Sequence, residues 1–200
     1  MRKVGIMGGT FNPIHNGHLM LAKEAFRQFS LDEVLFMPCG NAYMKADQKV
    51  ESGQTRADMT ALAIKGEPHF TLSDMEIMQP GNTYTYQTLE RLKEENPDVE
   101  YFFIVGADSL FHMPEWVNPE RIFANCHVLA AIRGDKTYSD LNVQIEFLKQ
   151  KYAADVRVME TVCMNMSSTD IRRKIASGES IENDVPEAVR RYIEERGLYR

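Results

Sequence analysis

Apolar residues near the start of the chain fall into two patterns, a short continuous run and a longer stretch with helical spacing. The run covers residues 3–7 and ends at glycines, whereas apolar side chains recur every three or four positions over Asn16–Phe29. A short apolar run bounded by glycine is typical of a strand, and the second spacing is typical of an amphipathic helix. The chain is therefore predicted to begin with a strand, a glycine-rich turn and a helix.

The same alternation continues to the end of the chain. Apolar or alternating segments predict further strands at residues 33–37, 70–77, 101–105, 127–132 and 155–159. Helical spacing or helix-end signals predict helices at residues 55–64, 84–95, 114–123, 140–152, 169–176 and 186–196. Several of the strand segments are apolar on both faces, as in a buried parallel sheet. The pattern predicts one doubly wound α/β domain over residues 1–200, in which residues 165–200 form a small C-terminal helical segment.

Composition and charge restrict the class of protein further. Of the 200 residues, 44% are hydrophobic, which is enough for a substantial core and excludes intrinsic disorder. The chain carries 23 Lys and Arg against 29 Asp and Glu, which gives a net charge of −6. Because a polyphosphate backbone is bound by excess positive charge, we expect no nucleic acid polymer as a partner.

Neither the N-terminus nor the cysteines indicate export. The first apolar run is too short for a signal peptide, and no run approaches the ~18 apolar residues of a membrane span. Three widely spaced cysteines, Cys39, Cys126 and Cys163, predict neither a disulfide framework nor a thiolate zinc site. We therefore expect a cytoplasmic protein that does not act at a membrane.

Candidate chemistry concentrates at the first strand-to-helix junction, which runs Gly-Gly-Thr-Phe-Asn-Pro-Ile-His-Asn-Gly-His over residues 8–18. Gly8 and Gly9 allow backbone amides to approach an anion, and the following helix N-terminus favours negative charge. His15 and His18 can donate to phosphate oxygens. Taken alone, the glycine pair is more simply interpreted as an ordinary turn, and the two histidines as a chance pair. Together, at an edge where doubly wound sheets bind ligands, they indicate a phosphate site.

Two other kinds of site are disfavoured at this junction. No third Cys, Asp or Glu lies close enough in sequence to complete a metal site with the two histidines. The G-x-G-x-x-G fingerprint of dinucleotide-binding oxidoreductases is also missing.

A second polar cluster lies at the predicted start of a helix near the C-terminus. Ser167, Ser168 and Thr169 place hydroxyls there, and Arg172 follows about one turn later. An ordinary helix cap with a surface arginine explains this cluster as well as a phosphate site does, so the residues alone leave both interpretations open.

The two clusters together resemble a known superfamily. Residues 8–18 resemble the (H/T)-x-G-H signature of the nucleotidyltransferases, and residues 167–172 resemble their C-terminal S-x-x-x-x-R phosphate motif. The chain is also similar over nearly its whole length to the nicotinate-nucleotide adenylyltransferase family, at Thr55-Arg56, Tyr84-Thr85, residues 105–109, Trp116 and the tail from Pro186 to Tyr199. The fold implied is the Rossmann-like nucleotidyltransferase fold.

The chain departs from the family pattern at two places. Asn12 stands where the family usually has Asp, and an Asn can accept the same local hydrogen bonds in a turn. Residues 40–45 read Gly-Asn-Ala-Tyr-Met-Lys where the family commonly has Gly-Asn-Pro-Pro-His-Lys. The lysine is kept as Lys45, but the other changes in the loop weaken the inference from the family that Lys45 binds phosphate.

The resemblance implies transfer of the adenylyl group of ATP to nicotinate mononucleotide, giving nicotinate adenine dinucleotide and pyrophosphate. It implies His18 and His15 as catalytic donors, and Mg²⁺ held mainly by the ATP phosphates and water rather than by protein ligands. The implied ATP-binding residues are Gly8, Gly9, Thr10, Phe11, Lys45, Gly106, Asp108, Ser167, Ser168, Thr169 and Arg172. The implied nicotinate mononucleotide-binding residues are Tyr84, Thr85 and Trp116. Trp116 lies among Pro114, Glu115 and Asn118, a setting that favours an exposed loop over the core.

Other functions stay open at this point. Within the superfamily, the alternatives are a nicotinamide-mononucleotide or a phosphopantetheine adenylyltransferase, and His15 argues against the latter, where threonine usually fills that position. A nucleotide-binding sensor without turnover is an alternative of another class, disfavoured because both motifs keep their donors. The sequence is compatible with a homo-oligomer and does not fix the number of subunits.

Overall fold

The computed structural model describes residues 1–41, 50–131, 138–161 and 166–200, and within them the chain forms a six-stranded parallel sheet with helices on both faces. The strands are β1 (Arg2–Gly9), β2 (Glu33–Pro38), β3 (Phe70–Leu72), β4 (Val99–Gly106), β5 (His127–Ala131) and β6 (Val156–Met159). The helices are α1 (Asn16–Phe29), α2 (Gly53–Ile64), α3 (Thr85–Glu95), α4 (Ala107–His112), α5 (Pro119–Asn125), α6 (Tyr138–Tyr152), α7 (Ser168–Ser177) and α8 (Glu187–Arg196). This arrangement confirms the predicted doubly wound α/β fold.

The strand order places a switch point in the middle of the sheet. The order is β3-β2-β1-β4-β5-β6, and every adjacent pair of strands is parallel. Successive crossovers therefore run outward in opposite directions from β1 and β4. In open sheets of this kind, a crevice opens beyond the carboxyl ends of the strands where the order reverses, and ligands bind there.

Alternate residues of the central strands supply two hydrophobic cores, one on each face of the sheet. Phe102 and Ile104 of β4 pack in one core with α1, α2, α7 and α8, whereas Phe103 and Val105 pack in the other with α3 to α6. All four side chains are buried. Burial on both faces explains why this strand is a continuous apolar run in the sequence.

The C-terminal segment packs against the same core through α8. Val189 and Ile193 are buried in the core that contains α2, and the Tyr192 hydroxyl donates to Asp58 of α2 at 2.8 Å. Gly197 ends α8 in the left-handed conformation, with φ of 61°, as the sequence signal of a glycine after the helix predicted.

Two local predictions were wrong. The strand predicted at residues 70–77 ends at Leu72, because the following residues turn away from the sheet and carry Glu76 toward Thr83 and Thr88. The helix predicted at residues 114–123 instead starts at Pro119, after a 3-10 turn at Met113–Glu115. The sequence analysis also missed α4, which begins directly at the end of β4, where no polar linker separates strand from helix.

None of the helices in the described part of the chain is long and apolar enough to cross a membrane.

A polar cluster connects the amino ends of β4, β5 and β6, at the end of the sheet away from the crevice. The His127 ring lies between two carboxylates, 2.8 Å from Glu100 and 2.6 Å from Asp155. Arg157 also donates to Asp155, at 2.7 Å. The hydrogen bond from Arg157, supported by that from His127, holds the pKa of Asp155 below its usual range.

This lowered pKa predicts a pH-dependent contribution to stability. A carboxyl group whose folded-state pKa is depressed stabilises the protein above its unfolded pKa of ~3.9 and loses that contribution as the pH falls through the folded value. We expect Asp155→Asn to lower the free energy of unfolding by up to about 1 kcal/mol at pH 7, since the pair is partly exposed. The difference from wild type should be smaller at pH ~3, below the unfolded pKa of ~3.9, than at pH 7. Urea unfolding at both pH values checks this, with the exposed Asp98→Asn before β4 as the matched control.

Candidate active site

A pocket of about 500 Å³ opens at the switch point of the sheet. Its floor includes the carboxyl end of β1, and one wall is formed by the start of α3. The predicted site residues that line it are Gly8, Gly9, Thr10, His18, Tyr84, Thr85 and Trp116. The fold thus brings the two histidine-motif glycines and the predicted nicotinate-binding residues, which are 75 or more positions apart in sequence, into one cavity.

His18 is held in one orientation by its own helix end. The backbone N–H of His15 donates to His18 Nδ1 at 3.3 Å, so a neutral His18 ring carries its proton on Nε2 and can donate from there. The His15 ring stacks on the His18 ring with centroids 3.7 Å apart, and the Phe11 ring contacts it edge-on at 5.0 Å. His18 lines the pocket, so a hydrogen-bond donor is fixed at its surface.

His15 lies behind His18 rather than in the pocket wall. It is only 3% exposed, and an added Cβ at Gly17 would come within 3.0 Å of its Nδ1 atom. Gly17 therefore lets the buried His15 ring pack against the first turn of α1. This contact is a physical reason for glycine between the two histidines of the motif.

Phe11 is also buried beneath the glycine turn. Its side chain is 2% exposed, and an added Cβ at Gly9 would lie 2.9 Å from the Phe11 ring. Gly9 thus lets the turn pack closely against Phe11. Phe11 supports the turn from below and does not itself line the pocket.

Arg56 is a buried cation under the same turn, and its role was not predicted. It is 1% exposed, and its guanidinium donates to carbonyl oxygens of Thr10 (2.7 Å), Cys39 (2.7 Å), Gly40 (2.8 Å) and Glu51 (3.0 Å). These carbonyls belong to the ends of β1 and β2 and to the start of α2. One side chain therefore fixes the loops that follow two neighbouring strands.

The C-terminal motif docks on the outside of the first junction. Arg172 Nη1 donates to the Asn12 carbonyl at 2.9 Å, and the Ser168 hydroxyl donates to the Pro13 carbonyl at 2.9 Å. Ser167 caps α7 by accepting from the Asp170 amide at 3.1 Å, and Thr169 is exposed. The fold therefore brings the two phosphate motifs, predicted separately, side by side.

Asn12 accepts the hydrogen bonds that a turn residue needs. Its Oδ1 accepts from the Glu51 amide at 3.1 Å and from the Tyr199 hydroxyl at 2.9 Å, and the residue is 3% exposed. Burial raises the pKa of Tyr199 above its usual range, so this hydroxyl remains a donor at neutral pH. The chain terminus is in this way tied to the first junction.

The start of α3 and Trp116 form the other side of the pocket. Tyr84 is the N-cap of α3 and makes no capping bond with its side chain, so the amides of Thr85 and Tyr86 in the first turn receive no bond from that side chain. Trp116 packs edge-on against Phe103, with ring centroids 6.1 Å apart. It is half-buried, in contrast to the expected exposed loop, because Phe103 offers it an apolar support at the pocket rim.

Glu76 is a second residue whose role the sequence analysis missed. Its carboxylate accepts from the hydroxyls of Thr88 (2.7 Å) and Thr83 (3.1 Å), and all three residues line the pocket. Burial raises the pKa of Glu76, while hydrogen bonds from Thr88, Thr83 and the Gly40 amide, together with the charge of Arg56, act in the opposite direction. No sequence motif predicts Glu76 as a site residue, because its partners Thr83 and Thr88 follow it at a spacing that is typical of neither a helix nor a strand.

The remaining predicted residues lie outside the pocket wall or outside the described part of the chain. Gly106 ends β4 and Asp108 lies exposed in the first turn of α4, at the same edge of the sheet, but neither lines the pocket. Lys45 is not among the described residues. Within the described ranges, no group of three or more His, Cys, Asp or Glu side chains could hold a metal ion.

Comparison with known proteins gives consistent matches over the whole chain. The cytidylyltransferase-like family model matches residues 6–174. The chain is 43% identical over 199 residues to a probable nicotinate-nucleotide adenylyltransferase of Lachnoclostridium phytofermentans, with 100% of both chains covered. It is 41% identical over 200 residues to a protein of the same name from Clostridium botulinum strain Eklund 17B, covering 100% of this chain and 99% of that protein.

Solved structures match the fold. The Plasmodium falciparum nicotinic acid mononucleotide adenylyltransferase complexed with APC gives a TM-score of 0.82 at 18% identity, covering 100% of this chain and 98% of that one. The same protein complexed with NaAD gives a TM-score of 0.83 at 19% identity, with the same coverage. At these identities, the structures establish a shared fold.

The buried guanidinium predicts a large cost for a conservative change at Arg56. A lysine keeps the charge but cannot present five donors in a planar fork, so Arg56→Lys leaves buried carbonyls unsatisfied. We expect the free energy of unfolding to fall by about 2–4 kcal/mol, measured by urea denaturation. Arg91→Lys, in an exposed pair with Glu95 on α3, is the control and should cost less than about 0.5 kcal/mol. Equal unfolding midpoints for the two variants would contradict the role given to Arg56.

Proposed function

The chain belongs to the cytidylyltransferase-like family and, within it, to the nicotinate-nucleotide adenylyltransferases, and from this we propose that it transfers the adenylyl group of ATP to nicotinate mononucleotide, forming nicotinate adenine dinucleotide and pyrophosphate in NAD biosynthesis. The observation that carries this function is one pocket lined both by the Gly9–His18 junction and by the uncapped start of α3. The first suits phosphates, and the second suits a carboxylate.

The reaction needs positioning and charge stabilisation rather than a base. The nucleophile is the phosphate of nicotinate mononucleotide, which is already ionised near neutral pH, and it attacks the α-phosphorus of ATP as the bond to pyrophosphate breaks. Enzymes accelerate such transfers by holding the reacting groups in line and by placing donors where negative charge accumulates. The pocket supplies donors of this kind.

We assign the main donor role to His18. Its Nε2 proton is directed away from the helix end that holds Nδ1, and it would donate to an α-phosphate oxygen as charge builds there. His15 acts through its stacking on His18 and through its backbone amide, rather than by touching the phosphates. Amides of Gly9 and Thr10, with the Thr10 hydroxyl, would hold the phosphates beside His18.

The β- and γ-phosphates would lie toward the start of α7. Ser168, the Thr169 amide and Arg172 are proposed to hold them, since these residues flank the Asn12–Pro13 turn next to the pocket. Lys45 is proposed as a further cation, and Asp108 with Gly106 would meet the ribose at the end of β4. Mg²⁺ would be carried by the phosphates and water, where it neutralises charge, because the described residues supply no cluster of ligands for it.

Nicotinate mononucleotide would occupy the side of the pocket formed by α3 and Trp116. Trp116 is proposed to stack on the pyridine ring, and its support by Phe103 keeps one face available. The amides around Tyr84 and Thr85 would receive the nicotinate carboxylate. A nicotinamide group lacks the negative charge that favours this helix N-terminus, so the geometry favours the acid.

We also propose that the protein works in the cytoplasm as a soluble enzyme. Cys39 and Cys126 are free thiols, as expected in a reducing compartment, and burial raises the pKa of the Cys126 thiol to about 12, which makes it unreactive.

The substrate assignment is tested by pyrophosphate release from Mg-ATP with three acceptors in parallel: nicotinate mononucleotide, nicotinamide mononucleotide and phosphopantetheine. We expect kcat/KM for the acid to exceed that for the amide by at least about tenfold, because one charged contact distinguishes them. Preference for another acceptor would keep the reaction and overturn the substrate. No release with any acceptor, together with ATP binding by calorimetry, would instead support the nucleotide sensor.

The donor role of His18 predicts a loss in the chemical step. His18→Ala should lower kcat by about 10²- to 10³-fold, the usual effect of removing one donor to developing charge, while the thermal unfolding midpoint changes little. His69→Ala is the control, because His69 is exposed and stacks on Phe26 away from the pocket. A His18→Ala enzyme with near-normal kcat and only a raised KM would show that His18 binds the ground state instead.

A further inference from the structure

Glu76 contacts both substrate-binding sides of the pocket, through its carboxylate on one side and its backbone on the other. Toward α3, it accepts from Thr83 just before the N-cap and from Thr88 in the first turn, and both threonines are 7% exposed. Two hydroxyls from one helix start thus converge on one carboxylate. The start of α3 cannot shift along its axis without breaking at least one of these bonds.

The backbone of Glu76 meets the loop that follows β2. The Gly40 carbonyl in this loop accepts from Arg56 at 2.8 Å. The approach is close, since an added Cβ at Gly40 would lie 2.2 Å from the Glu76 carbonyl oxygen. Gly40 therefore has no room for a side chain at this contact.

These contacts form a continuous chain from one side of the pocket to the other. It runs from the threonines of α3 through Glu76 and Gly40 to Arg56, whose Nη1 donates to the Thr10 carbonyl at 2.7 Å. Thr10 belongs to the glycine turn that lines the pocket and that we propose to bind the phosphates. We call this set of residues (Thr83, Thr88, Glu76, Gly40, Arg56 and Thr10) the Glu76 bridge.

We propose that Glu76 is a positioning residue that fixes the start of α3 at a set distance from the phosphate-binding turn. The inference rests on the proposed function, because it concerns where the nicotinate carboxylate lies relative to the reacting phosphates. A carboxylate suits this task better than an amide, since each of its oxygens accepts from one threonine and neither carries a proton. Its negative charge beside the nicotinate site is offset by Arg56 and by the donors already bound to it.

The bridge predicts a selective effect on the acceptor substrate. In Glu76→Gln, an amide donor replaces one of the two oxygens that accept from the threonines, so one accepted bond from the start of α3 is lost. We expect KM for nicotinate mononucleotide to rise about tenfold and the preference for the acid over the amide to fall by a similar factor, while KM for ATP stays within about twofold. Steady-state kinetics with each substrate varied, and calorimetric binding of nicotinate mononucleotide, measure this.

The threonine side of the bridge supplies a second test. Thr88→Val, which keeps the side-chain shape, should reproduce the selective rise in KM, and Thr88→Ser should restore the wild-type value because it keeps the hydroxyl. The double variant Glu76→Gln/Thr88→Val should be no worse than the poorer single variant, since both changes remove one shared bond. Additive effects would mean that each side chain contacts the substrate directly and would overturn the positioning role.

One control variant is matched to these changes. Glu95→Gln removes an exposed carboxylate from the end of α3, and Glu95 does not line the pocket, so both KM values should stay unchanged. If KM for both substrates changes together in the bridge variants, or does not change, the inference is wrong even though wild-type turnover supports the function. Should Glu76→Gln fail to fold, Thr83→Val replaces it in the same comparison.

Discussion

The geometry of the pocket depends on one buried guanidinium. Arg56 is always charged and 1% exposed, and its charge is compensated by backbone carbonyls of the loops after β1 and β2 and of the start of α2. A cation removed from water is stable only when its donors are satisfied, so these loops are constrained to present their carbonyls to it. In a trans peptide, the carbonyl and the following amide point in opposite directions, so binding the Thr10 carbonyl also directs the next amide. The hydrogen bond from Arg56 to the Thr10 carbonyl thus fixes the conformation of the glycine turn.

The same constraint explains why the site combines residues that are far apart in sequence. The ends of β1 and β4 meet because the sheet reverses its order there, and α3 reaches that point because it leads into β4. The parallel strands place these elements at one end of the sheet. The hydrogen bonds of Arg56 and Glu76 fix them more closely, at the scale on which an in-line phosphoryl transfer is sensitive.

Sequence patterns predicted the parts of the structure that repeat regularly and missed those that depend on single long-range contacts. Strand β4 was predictable because both its faces are buried, so its apolar run is unbroken. The strand predicted at residues 70–77 was wrong because Glu76 turns toward two threonines instead of continuing the edge strand. Arg56 has the sequence context of a surface arginine at the start of α2, and only the resemblance to the family pointed to it. A buried polar residue can be predicted from the sequence only when its partners are recognisable side chains. The partners of Arg56 are backbone carbonyls, which no sequence pattern marks.

An acidic protein that binds two anionic substrates must create its positive potential locally. The net charge of −6 opposes the approach of ATP and of a mononucleotide, so long-range steering does not favour them. The pocket instead combines the backbone amides of a glycine turn, the uncapped start of α3 and the His18 donor, with the charge of Arg56 behind them. Backbone amides and a buried cation cannot move with the substrate. The free-energy cost of orienting them is therefore met during folding and not during the reaction. Preorganised donors of this kind are most effective where charge appears only in the transition state, and this is the demand that transfer of an adenylyl group to an already ionised phosphate makes.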